Sequence, residues 1–327
     1  MNNRTFSKPG WQVSEIGLGC WQLGGDCWGD LDASAAKAIL QASVDAGVNF
    51  LDTADVYGDG RSEAFIGQFL KDCPEPLKVA TKLGRRAHVF PDQFTPENLQ
   101  GCTEDSLRRL GVGTLDLTQL HCPPTDVLRR GEVFGILRDL QTAGKIRHWG
   151  VSVESMEEAL LCLEQEGCAS LQIIFNLFRQ KPIENLFEKA RAKGVSIIVR
   201  LPLASGLLSG KMTLDHHFAE NDHRRFNCDG QLFNVGETFA GLPYPKGVEL
   251  AQSLKERLPG DAPMAQWALR WILDHDAVTT IIPGASKVEQ ARSNAQASEL
   301  PPMDAATHQA LREFYQAQVH DHIRGPY

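Results

Sequence analysis

Short apolar and β-branched runs alternate along the chain with longer amphipathic stretches. "VNFLDTA", "LKVATKL", "LDLTQLH", "KIRHWGVS", "SLQIIFN", "VSIIVRLP" and "VTTIIPG", preceded by a less regular "SEIGLGCW", predict eight strands. Between them "ASAAKAILQASVDAG", "TPENLQGCTEDSLRRLG", "GEVFGILRDLQTAG" and "IENLFEKARAKG" have helical spacing, and several open near Ser, Thr or Asp and stop at Gly. Parallel strands need a crossover, and eight of them can close on themselves, so the alternation predicts an α/β fold, a (β/α)8 TIM barrel. An open doubly wound sheet is the competing architecture, but no G-x-G-x-x-G follows the first strand. No repeat or low-complexity linker divides the chain, so one domain over residues 1–327 is expected. The longest irregular segment, 203–245, reads as a functional loop. Helical patterns follow near Gly247 to Leu258, Pro263 to Leu273 and Lys287 to Ala297, and a last one, Ala305 to Gln318, is expected outside the barrel.

Composition narrows the class of protein. A 42% hydrophobic content over 327 residues can bury a large core, and the net charge of -8 is dispersed with no basic run, which argues against a nucleic-acid partner. The N-terminus lacks an apolar signal core, and no window carries the ~18 apolar residues of a membrane span. A cytoplasmic protein without a membrane partner is the expectation. The eight cysteines contain no C-x-x-C pair and read as reduced structural thiols.

In a parallel barrel, chemistry gathers at the carboxyl ends of the strands. The second strand ends in Asp52 with Tyr57 in the next loop, the third in Lys82 and the fourth in His121. A lysine beside a tyrosine stabilises the phenolate. Lowering a tyrosine pKa by about two units needs roughly 2.7 kcal/mol, and one cation at about 4 Å in a partly screened site supplies about 4 kcal/mol. Asp52 would hold the buried ammonium, and His121 could orient a carbonyl. Taken singly, Asp52 and Lys82 fit a structural ion pair equally well.

Together with "IGLGCWQLGG", "FLDTADVYGDGRSE", "VATKLG", "LTQLHCP", "GKIRHWGVS", "LQIIFN", "PLASGLLSGK" and "TIIPGAS", in that order over nearly the whole length, these residues make the chain resemble the aldo-keto reductase superfamily, in its bacterial and potassium-channel-β-like branch. The resemblance implies an NADP(H)-dependent reductase of small aldehydes or ketones, sugars among them, with Asp52, Tyr57, Lys82 and His121 as its tetrad and Tyr57 as proton donor. It implies that Ser152 and Gln172 hold the nicotinamide carboxamide, with Asn176 on the same strand end as Gln172. Leu203, Ser205, Gly206, Leu208 and Lys211 would wrap the pyrophosphate. Gly284, Ser286 and Lys287 would meet the 2'-phosphate, with Gln290 and Asn294 near the adenine. The 203–245 loop would then cover cofactor and substrate, and Trp21 and Trp28 would wall the pocket.

Two positions depart from the family pattern: Val153 replaces the usual Asn, and Arg200 replaces an aromatic that stacks on the nicotinamide. Arg224 and Arg225 read as solvated rather than as a clamp for an acidic substrate. His320 and His322 lack further ligands, so no metal is expected. The competing functions are a cofactor-binding redox sensor with slow turnover and a Schiff-base lysine at Lys82.

Overall fold

The computed structural model describes residues 1–25, 28 and 31–327; Cys27 lies outside them. Eight parallel strands run in sequential order: β3 (Leu18–Gly19), β4 (Phe50–Asp52), β5 (Lys78–Leu83), β6 (Leu115–His121), β7 (Ile146–Ser152), β8 (Cys168–Ile174), β9 (Ser196–Arg200) and β10 (Val278–Ile281). Parallel bridges between Ile16 and Ile281 and between Gly19 and Gly284 bring the first strand against the last, so the sheet curls into the expected barrel. All eight sequence-predicted strands are present. The irregular first one forms only two residues of strand, with Gly17 N donating to Ile281 O at 2.8 Å.

The helices form where caps and periodicity agree. Asp32 caps Ala33–Asp45, Thr95 caps Pro96–Leu110 with Gly111 left-handed at its end, and Glu132–Thr142 follows Gly131. The "IENLFEKARAKG" stretch instead divides into Pro182–Asn185 and Phe187–Ala192. Helices Arg61–Asp72 and Met156–Leu163 complete the alternation; the second opens on a Ser155/Glu158 capping box. Neither was singled out in the sequence. No helix among the described residues is long and apolar enough to cross a membrane.

An antiparallel hairpin that the strand pattern did not predict, β1 (Asn3–Phe6) with β2 (Trp11–Ser14), plugs the amino end of the barrel. Its Phe6 and Val13 pack in one buried cluster with Phe50, Ala80, Leu117, Ile198 and Ile282. These are the inward residues of the lower barrel. A strand's inward face repeats every second residue, so Asp52, Lys82, Gln119, His121 and Arg200 follow on the same face toward the carboxyl end. One two-residue period thus separates an apolar floor from a polar ceiling.

Candidate active site

Register brings the polar layer together. Asp52 pairs with Ala80 across β4–β5, and Lys82 with Gln119 across β5–β6. The Lys82 ammonium is buried, ion-paired to Asp52, and donates to Thr53 O at 2.8 Å and to the Tyr57 hydroxyl at 3.3 Å. The second Asp52 oxygen accepts from Gln119 Nε2 at 3.1 Å and from Gln172 Nε2 at 2.7 Å. Gln119 was missed in the sequence, although its place two residues before His121 in an alternating strand marks it as inward. Gln172, which the resemblance assigns to the carboxamide, directs its amide nitrogen at Asp52.

Tyr57 reaches the site because its loop is bound to the turn after β3. Gly58 (φ +60) lies so close that a Cβ there would meet Gly24 O at 2.3 Å, and Arg61 Nε donates to the same oxygen at 2.7 Å. The Tyr57 ring meets His121 edge-on at 5.9 Å. Burial pushes the Tyr57 hydroxyl up to about 12, against the opposing pull of Lys82. This corrects the expectation of a net lowering: the ammonium is already engaged with Asp52, and desolvation outweighs what it offers the phenol. His121 is held well below its usual range by burial and by Lys82, Arg85 and Arg200, so it is a neutral imidazole.

Arg200, which stands where the family pattern has an aromatic, makes polar contacts. Its guanidinium meets Glu237 at 3.1 Å and donates to Val153 O at 3.2 Å and to the Cys122 sulfur at 3.5 Å. Beside it Arg85 donates to His121 O at 3.1 Å and to Glu154 at 2.8 Å. Ser152 is buried with its hydroxyl facing the Cys122 thiol at 3.5 Å. Asn176 is spent on the backbone, between Leu201 O and Phe178 N.

The remaining cofactor candidates fall into two groups. Ser205 (φ 56) and Gly206 (φ 100) form a left-handed turn in which the amides of Gly206 and Leu208 return to Leu203 O at 2.9 and 3.2 Å. Leu208 is fully buried and Lys211 exposed. The Ser205 hydroxyl donates to Glu237 O and accepts from Phe239 N, both at 3.1 Å. Gly284 faces Gln22, whose amide a Cβ would strike at 2.1 Å. Exposed Ser286 and Lys287 stand at the start of helix Val288–Gln296. Gln290 accepts from Ser286 N at 2.8 Å, and Asn294 donates to Gly284 O at 3.2 Å.

Aromatic rings gather around Tyr57. Trp21 stacks on Tyr57 at 5.9 Å, and both Trp21 and Trp28 contact the ring of His223, at 4.8 and 4.5 Å. His223 and Glu237 come from the 203–245 loop, which therefore reaches the tetrad; neither had a sequence signal. Arg224 is not solvated as expected: it pairs with Asp222 (2.6 Å) and lies over Trp28 (4.8 Å). Arg225 is exposed and meets Glu220 at 3.3 Å. His320 and His322 are exposed, with His320 beside Asp321 at 2.9 Å.

On the same loop as Tyr57, Asp55 is fully buried; its carboxyl accepts no hydrogen bond among the described residues and has Arg86 at 3.5 Å. Burial raises its pKa from 3.8 to about 7. The folded state therefore binds more protons than the unfolded state between these values, and stability falls as pH rises through that window. Asp55→Asn is expected to stabilise the protein at about pH 8 by about 2–4 kcal/mol, and by little near about pH 4. Thermal melting of both forms at the two pH values checks this; equal shifts would refute it.

A sequence profile described as "Aldo/keto reductase family" matches residues 15–316. The chain is similar in structure to the glycerol dehydrogenase from Gluconobacter oxydans, with 28% identity and a TM-score of 0.80 over 100% of this chain and 98% of that one. It is 28% identical to a "Probable aldo-keto reductase 1" of Glycine max, over 95% of this chain and 87% of the relative. It is 29% identical to the NADH-specific methylglyoxal reductase of Escherichia coli, over 90% and 92%. With the matched span running from the first barrel strand into the C-terminal helix, and the barrel itself shared, this chain belongs to the aldo/keto reductase family of oxidoreductases.

Proposed function

We propose that the chain reduces aldehyde or ketone groups of small molecules to alcohols with NADPH, Tyr57 supplying the proton. The observation that carries this reading is the Asp52–Lys82–Tyr57 chain beside a neutral His121 at the carboxyl end of the barrel. A neutral imidazole can donate a hydrogen bond to the substrate oxygen without competing as an acid. Tyr57 holds its proton through the neutral range and gives it up as the oxygen becomes an alkoxide, with Lys82 stabilising the phenolate that remains. Trp21, Trp28 and His223 exclude water around that atom.

The donor set suits a dinucleotide carrying a 2'-phosphate. Ser286 and Lys287 offer a hydroxyl, an ammonium and the amides of a helix start, and nothing acidic precedes Glu289 in that segment. The left-handed turn at Ser205 and Gly206, with Lys211, would hold the pyrophosphate. When bound, the cofactor supplies the hydride.

A carbonyl and sugar panel followed by loss of NADPH or NADH absorbance tests the reading. Steady turnover supports it, whereas a single slow oxidation with no steady state would favour the redox sensor. One charge-assisted contact is worth about 1.5–3 kcal/mol, so Lys287→Ala is expected to weaken NADPH by about tenfold to a hundredfold and to leave NADH almost unchanged. Lys211→Ala should weaken both. Fluorescence titration decides, and equal weakening of the two cofactors by Lys287→Ala would overturn the assignment of that residue to the 2'-phosphate.

A further inference from the structure

Two guanidinium–carboxylate pairs stand side by side above the tetrad. Arg200, at the end of β9, meets Glu237 at 3.1 Å; Arg85, just past β5, meets Glu154 at 2.8 Å. One oxygen of each carboxylate and the Cys122 sulfur lie within 4.8 Å of one another. Two guanidinium groups thus face two carboxyls in one small volume, where burial and the neighbouring Glu237 push the Glu154 carboxyl up while Arg200 and Arg85 hold Glu237 below its usual range against its burial. Arg200 is 8% exposed, and a guanidinium so placed is costly without a counter-charge. Glu237 supplies it from the 203–245 loop, whose backbone is held there by Ser205 at both Glu237 O and Phe239 N.

These charges bear on the reacting atoms. Glu237 strengthens the hold of the Tyr57 hydroxyl on its proton, and Arg200 and Arg85 help to keep His121 neutral. A hydride donor must come within about 3–3.5 Å of a carbonyl carbon placed between Tyr57 and His121. A nicotinamide ring bound for that transfer would therefore stand among the same groups. That ring is neutral when reduced and carries one positive charge once it has given up hydride. Arg200 opposes the charged form, and Glu237 favours it.

We propose that the Arg200–Glu237 pair is a charge-balanced wall of the nicotinamide site, in which Glu237 positions and neutralises Arg200, so that the intact pair favours neither the oxidised nor the reduced cofactor. The proposal rests on the reading of the chain as a nicotinamide enzyme. An aromatic plate favours the cationic ring modestly through its quadrupole, whereas an ion pair is indifferent only while both members are present. Removing one member unbalances the site in a direction set by the member that remains.

The test measures dissociation constants for NADP+ and NADPH by calorimetric titration of the full chain. Two unit charges about 6–10 Å apart at an effective dielectric of about 20 change an equilibrium constant by about tenfold to a hundredfold. E237Q is expected to raise the ratio of the NADP+ to the NADPH dissociation constant by that factor, which raises the two-electron potential of the bound couple by about 30–60 mV. R200Q is expected to lower the ratio by a similar factor. R200K, which keeps the charge, and the R200Q/E237Q double variant should both return it to within about threefold of wild type. Thermal melting without dinucleotide identifies any variant that fails to fold, and the opposite signs leave either single variant able to decide. A loop anchor without an electrostatic role would weaken both cofactors equally, and that result would overturn the proposal. Absence of saturable binding of either form to the wild type would instead overturn the nicotinamide reading itself.

Discussion

Tyr57→Phe is expected to lower turnover in carbonyl reduction by about two to four orders of magnitude, the range for loss of a positioned general acid. The ring remains, so its stacking on Trp21 and its edge contact with His121 persist, and only the hydroxyl 3.3 Å from Lys82 is lost. Cofactor affinity is expected to stay close to wild type. Steady-state kinetics with a fluorescence titration separates the two quantities, and near-normal turnover would exclude Tyr57 as the proton donor. The pH profile adds a second check. With the hydroxyl pushed up to about 12, the donor stays protonated at neutral pH. Reduction should therefore show no loss from Tyr57 ionisation up to about pH 9, while oxidation of alcohols, which needs the phenolate, should accelerate as pH rises.

Lys82→Met is expected to damage both activity and stability. The ammonium is buried against Asp52, so its removal leaves a carboxylate inside the barrel with Gln119 and Gln172 as its remaining side-chain donors among the described residues. Breaking a buried pair from one side costs about 3–5 kcal/mol. Adding Asp52→Asn should recover much of that stability, because the orphaned charge is then gone, but none of the turnover, because the Tyr57 phenolate still lacks its cation. The folded-state pKa of Lys82 is raised by Asp52 and Tyr57 despite its burial. Its contribution is thus fully present below about pH 10.5 and is lost only as pH rises through the folded value. Lys82 itself should accordingly add no pH dependence to the stability difference across the neutral range; any that appears comes from the orphaned Asp52 carboxylate and should be absent when Asp52→Asn is added. Denaturant unfolding at several pH values measures it, and wild-type kinetics in Lys82→Met would break the coupling between ammonium and phenol.

The barrel was legible in the sequence because burial on both faces makes each parallel strand an apolar run, and because crossover helices carry their own caps. "LDLTQLH" and "VATKL" needed no partner to be read as β6 and β5. The ends of those runs placed Asp52, Lys82 and His121 on one rim, since the fold sends every carboxyl end the same way. The N-terminal hairpin was not legible: "RTF" and "WQVS" are too short for periodicity to separate from loop, and they become strands only by closing the barrel floor over Phe50 and Leu117.

The sequence alone determined the order of strands and the residues delivered to the carboxyl rim of the barrel, because these depend on local periodicity and on position along the chain; the departures at Val153 and Arg200 show only against the family resemblance. Only the tertiary structure decided what those residues meet. Glu237 lies far along the chain from Arg200, and His223 far from Trp21 and Trp28, so no spacing rule joins them; the loop has to fold over the barrel before they touch. The Tyr57 proton is a case of the same kind. A lysine nearby predicts a lowered pKa, but the balance is set by how far burial strips water from the phenol and by how much of the ammonium Asp52 has already claimed, and both are three-dimensional quantities.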